Sequence, residues 1–124
     1  MPPKVLIVDD EISVVSALQF LMEQEGYQVM VAYDGEEALD IMFKTKPDLI
    51  LLDIMLPVID GYEVCEVCRL NADLCDVKII FLSAKGTDVD IAKGLFLGAD
   101  AYITKPFSNI QIIDKVKELV GPCK

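Results

Sequence analysis

A chain of 124 residues with a 53% hydrophobic fraction is long enough to bury a core and too apolar to stay disordered, so residues 1–124 are read as one domain. Charges such as Asp53 interrupt its longest apolar runs, which fall short of the ~20 residues of a membrane span, and the run Val5–Val8 before Asp9 is too short for a signal-peptide core, so a cytoplasmic protein with no membrane partner is expected. A formal net charge of −10 argues against direct nucleic-acid binding, which needs a cationic face to release counterions.

In chain order, the first strand-length apolar run is Val5–Val8, followed at once by Asp9 and Asp10. Helical spacing then runs over residues 13–25, with Gly26 where a left-handed residue ends a helix. Val29–Ala32 is the second strand, and Asp34 with Glu37 reads as a capping box opening a helix over 36–45. Lys44 and Lys46 suit the negative end of that helix dipole, and Pro47 lies just beyond. The third strand, Leu49–Leu52, leads into Asp53 and then a helix over 62–71. The fourth, Ile79–Leu82, leads into Ser83 and a helix over 88–97 that stops near Gly98. A weak fifth strand, Ala101–Ile103, precedes Lys105, and Ser108 with Gln111 reads as a second capping box before a helix over 109–120.

Five strand-then-helix units predict a parallel sheet covered by helices on both faces. The first, third and fourth strands are continuously apolar, as strands buried on both faces should be, while the second alternates more and the fifth is short, which suits edges. A flavodoxin-like, doubly wound α/β fold of five strands and five helices in the order 2-1-3-4-5 satisfies this, although the pattern alone does not prove it.

In an open sheet of this kind ligands bind beyond the carboxyl ends of the strands, where the order reverses. If strands one and three are neighbours, Asp9, Asp10 and Asp53 share one crevice. Three carboxylates there repel one another unless a cation is present, and oxygen-only ligation suits magnesium. Isolated acidic residues after strands often do no more than solubilise a loop. Here the hydroxyl of Ser83 and the ammonium of Lys105 end strands four and five, and both suit the oxygens of a phosphoryl group.

The Asp9-Asp10 pair, the segment Asp53-Ile54-Met55-Leu56-Pro57-Val58-Ile59-Asp60-Gly61, the Ser83-Ala84 step and Lys105-Pro106-Phe107 resemble the four signatures of response-regulator receiver domains, over essentially the whole chain. The resemblance implies that Asp53 accepts a phosphoryl group from a histidine kinase or histidine phosphotransfer protein. It implies magnesium held by Asp10, Asp53 and the carbonyl of Met55, with Asp9 helping through water. Ser83 would hydrogen-bond the phosphoryl group, Lys105 would pair with it, Tyr102 would be the aromatic switch, and the bond before Pro106 would be cis. Such a chain is a switch and not an enzyme, catalysing only its own phosphorylation and slow dephosphorylation. Its output goes to a separate effector or a covalently linked domain. Family members with winged-helix outputs dimerise through charges on the face of the fourth helix, fifth strand and fifth helix. Ala101, Gln111 and Lys115 stand here instead, so a monomer or weak dimer is expected.

The rival readings are weaker. A nucleotide-binding flavodoxin-like protein needs a glycine- or hydroxyl-rich loop where this chain has Asp9-Asp10-Glu11, and aspartyl-phosphate phosphatases usually carry Asp-x-Asp. A degenerate receiver that only binds is disfavoured because every acceptor-site position is filled. The Cys65/Cys68 pair has metal-site spacing but no histidine or second pair to complete it, so small core cysteines are expected; Cys75 and Cys123 complete the set of four. Gly94 reads as close packing or a softened helix, and Phe20, Phe43 and Phe96 as core residues. An output domain after Gly121-Pro122 remains an open alternative.

Overall fold

The computed structural model describes residues 2–121; Pro122 and Cys123 lie outside the described residues. Five strands, β1 (Lys4–Val8), β2 (Gln28–Ala32), β3 (Leu49–Asp53), β4 (Lys78–Ser83) and β5 (Ala101–Thr104), alternate with helices. The helices are α1 (Ile12–Gln24), α2 (Gly35–Thr45), α3 (Gly61–Leu70), α4 (Asp88–Phe96) and α5 (Asn109–Val120). All strand pairs are parallel and the order is β2-β1-β3-β4-β5, as the expected doubly wound fold requires.

The sheet divides the core in two. One cluster gathers Leu6, Val8, Ile50, Leu52 and Phe81 under α2 and α3, and the other gathers Val5, Ile7, Leu49, Leu51 and Ile80 under α1 and α5. Successive side chains of a strand point to opposite faces, so a strand covered on both sides must be apolar throughout, as β3 is. At the edge, β2 is half-buried along most of its length and shows no clean alternation.

Local signals hold with one variation. Ser108 and Gln111 form a complete capping box. Asp34 accepts the Glu37 N–H at 2.7 Å, but the Glu37 carboxylate reaches back to Tyr33 N–H instead of that of Asp34. Gly26 and Gly98 have φ of 91° and 109° at helix ends. Lys46 is itself the left-handed residue that closes α2, with φ 49°, because Pro47 bars it from continuing the helix.

The three phenylalanines are not core residues. Phe20, Phe43 and Phe96 are 63%, 47% and 88% exposed. Each is turned away from its helix's inward face: α1 buries Val15, Leu18 and Met22, α2 buries Ala38 and Met42, and α4 buries Gly94. At about 100° per residue, Phe20 lies ~200° from Leu18, and Phe96 the same angle from Gly94. Cys65 and Cys68 are buried, as expected, and burial pushes their thiols up to about 11 and about 12, which keeps them protonated and unreactive.

Candidate functional site

Parallel pairing brings the carboxyl ends of β1, β3, β4 and β5 to one edge of the sheet. Val8 pairs with Leu52, Asp53 with Leu82, and Ser83 with Thr104, so the residues just past these pairs must gather. Asp9, Asp10 and Asp53 each place a carboxylate oxygen within 4.8 Å of the others. Asp9 and Asp53 are buried, while Asp10 faces solvent.

Lys105 enters this cluster from the residue after β5. Its ammonium lies 2.8 Å from Asp9 Oδ2, 3.5 Å from Asp53 Oδ2 and 3.9 Å from Glu11. The peptide bond from Lys105 to Pro106 is cis. Lys105 N–H donates to the carbonyl of Ser83 at 2.9 Å, which fastens the ends of β5 and β4 together. Ser83 is fully buried, and its hydroxyl oxygen accepts the Lys85 N–H at 3.1 Å.

Burial raises the pKa of Asp53; the Lys105 charge opposes the rise, the Asp9 charge adds to it, and a hydrogen bond from Met55 N–H opposes it. Burial works against the charge of Lys105, but the hydrogen bond to Asp9 and the nearby Asp53, Asp9 and Glu11 carboxylates together raise its pKa. The site is therefore an anionic crevice with one cation already inside it. Its net charge is negative and its donor atoms are oxygens, a set that suits a hard divalent cation.

The loop after β3 is shaped for closeness. A Cβ at Gly61 would stand 2.3 Å from the carbonyl oxygen of Asp53, so only glycine lets α3 begin there. Val58 holds φ 71°, an uncommon conformation for a β-branched residue, and the Met55 side chain is exposed. Tyr102 is half-buried beside Phe81, with ring centroids 6.0 Å apart, and its hydroxyl donates to the carbonyl of Lys85.

Sequence reasoning missed three features. Asp9 is the principal partner of Lys105, which no spacing reveals because the two are 96 positions apart. Glu11 joins the same ion pairs, although the run Asp9-Asp10-Glu11 marked it as acidic. Arg69 fastens the far end of the sheet, donating to the carbonyls of Gly98, Cys75 and Val77 and to Asp100.

A family model for the response regulator receiver domain matches residues 5–117. The receiver domain of the Francisella response regulator 1452 is 34% identical, with a TM-score of 0.89, covering 94% of this chain and 95% of that one. The Vibrio cholerae chemotaxis protein CheY4 is 28% identical, with a TM-score of 0.91 and coverage of 97% and 100%. The BeF3-activated DrrB receiver domain is 28% identical, with a TM-score of 0.89 and coverage of 97% and 98%. Among the described residues no helix is long and apolar enough to cross a membrane. With five βα units in the order 2-1-3-4-5 and an acidic crevice at the carboxyl ends of the strands, the chain belongs to the response regulator receiver domains, the phosphorylation-activated signalling switches of two-component systems.

Proposed function

We propose that Asp53 is the phosphoryl acceptor and that the face built from α4, β5 and α5 carries the response. The observation that carries this reading is the Lys105 ammonium lying 2.8 Å from Asp9 and 3.5 Å from Asp53 in one buried crevice. The chain has no histidine, so the donor phosphohistidine lies outside residues 1–124, on a histidine kinase or a histidine phosphotransfer protein.

A carboxylate oxygen of Asp53 attacks phosphorus, the phosphorus–nitrogen bond of the donor breaks, and the departing imidazole takes up a proton. The products are an acyl phosphate on Asp53 and a neutral donor histidine. An ionised carboxylate needs no general base for this attack, so positioning and charge are what the chain must supply. Lys105 pairs with the phosphoryl oxygens, and Ser83 donates its hydroxyl to them. Asp10, Asp53 and the carbonyl of Met55 are the residues that would hold magnesium, with Asp9 helping through water. When bound, magnesium neutralises the carboxylates and the phosphoryl charge. Hydrolysis of the acyl phosphate resets the switch, in the cytoplasm.

One hydrogen bond to a charged group contributes about 1.5–3 kcal/mol. Driving a switch from mostly off to mostly on takes about 5.5 kcal/mol of differential binding. Ser83 is therefore insufficient alone, and Lys105 and the repacking of Tyr102 contribute the rest. Val89, Phe96 and Ile110 leave the α4 and α5 side apolar, which suits a separate effector protein or a linked output domain. Three features support a monomer or weak dimer. Gln111 is engaged in its own capping box, Lys115 in a 2.9 Å pair with Glu118, and Ala101 is buried.

With a small phosphodonor and magnesium, one phosphoryl group per chain is expected, lost in Asp53→Asn and retained with a weaker response in Ser83→Ala. Catalytic turnover of phosphate esters would instead make the chain a phosphatase. Magnesium affinity should fall in both Asp10→Asn and Asp53→Asn. Sedimentation with and without beryllofluoride should show little change, and a tight activation-dependent dimer through residues 88–120 would overturn the assembly reading.

A further inference from the structure

We propose that Gly94 seats the ring of Tyr102, so that the bare face of α4 at this position sets where the switch residue rests. The inference depends on reading Tyr102 as the switch. Gly94 lies inside α4, is its buried residue, and has no left-handed backbone to require glycine. Alanine there would favour the helix, so by local propensity glycine is the poorer choice. What it provides is space. A Cβ at this position would stand 2.9 Å from Tyr102 Cδ2, 3.0 Å from Phe81 Cδ2 and 3.2 Å from Tyr102 Cε2.

The two rings differ in their freedom to yield. Phe81 is fully buried and is held edge-to-face by Tyr62, with centroids 5.6 Å apart. Tyr102 is half-buried and held mainly at its hydroxyl, which donates to the Lys85 carbonyl and also lies in hydrogen-bonding reach of the Ser83 hydroxyl. A methyl group at position 94 therefore drives Tyr102 outward, while Phe81 stays. Lys85 makes this consequential, because its N–H binds the Ser83 hydroxyl while its carbonyl binds Tyr102. Displacing the ring frees one end of the peptide segment that joins Ser83 to the α4 face.

A stability cycle of Gly94→Ala, Tyr102→Ala and the double variant tests the contact without phosphorylation. Gly94→Ala should raise the urea midpoint in the Tyr102→Ala background and lower it, or leave it unchanged, when Tyr102 is present. The same upward shift in both backgrounds would overturn the proposal. Nuclear magnetic resonance of ring-labelled tyrosine, read with and without beryllofluoride and magnesium, tests the switch. In the unmodified chain the Tyr102 signal should move on activation. In Gly94→Ala it should start displaced and move little. An equal movement in both proteins overturns the role of Gly94, whereas no movement in the unmodified chain overturns the switch reading itself.

Discussion

Asp53→Asn should make the protein more stable at neutral pH, because the Asp53 carboxylate is held in a place that opposes its charge. Lys105, 3.5 Å away, attracts it by about 5 kcal/mol at an effective dielectric constant of about 20. An Asp9 oxygen within 4.8 Å repels it by at least about 3 kcal/mol on the same scale, and Asp10, exposed and screened, adds a smaller repulsion. The pairwise effects nearly cancel, so burial decides the sign, and the pKa of Asp53 is raised. A raised folded pKa means that the folded chain binds the proton more readily than the unfolded one. Stability contributed by this group therefore falls as pH rises from the ordinary carboxylate range through the raised value. Replacing the charge with an amide removes that cost, with an expected gain on the order of 1–2 kcal/mol at pH 7. In urea this is a rise in midpoint of roughly 1 M, since the slope for small proteins is about 1–3 kcal/mol per molar. The gain should shrink as the pH drops through the folded pKa and vanish below the unfolded one. An unchanged or lowered midpoint at pH 7, or a gain that grows on acidification, would refute the reasoning.

Arg69→Ala removes donors to three carbonyls and to Asp100 at a partly exposed site, and should lower stability by about 2–3 kcal/mol in urea unfolding. Gly98→Ala should cost at least about 1–2 kcal/mol, because φ is 109° and the new Cβ would stand 3.0 Å from Arg69 Cγ. Val58→Gly should stabilise by about 1 kcal/mol, since it relieves a β-branched residue at φ 71° that is 78% exposed and makes little packing of its own; a loss of stability would show that Val58 is held by contacts the backbone conformation does not reveal.

The features legible in the sequence were those set by short-range rules. Apolar runs located β1, β3 and β4 because a strand buried on both faces has no polar positions, while the edge strands β2 and β5 left the weaker signals. Ser108 with Gln111, Gly26 and Gly98 marked helix ends because caps are local chemistry. The acid pocket followed from strand order, since residues one step past neighbouring parallel strands must meet. Phe20, Phe43 and Phe96 were misread because residue type was weighed over helical angle, and each lies off the inward stripe of its helix. The Asp9–Lys105 pair and the Arg69 clamp were illegible because long side chains choose partners only after the elements have packed.

The most direct test is to locate the phosphoryl group. The protein is phosphorylated with a small phosphodonor and magnesium, the acyl phosphate is reduced with borohydride, and the altered residue is found by peptide mass spectrometry. The account predicts reduction at Asp53 alone. Labelling at Asp9 or Asp10, or a reduction-resistant phosphate on a hydroxyl such as that of Ser83, would contradict it.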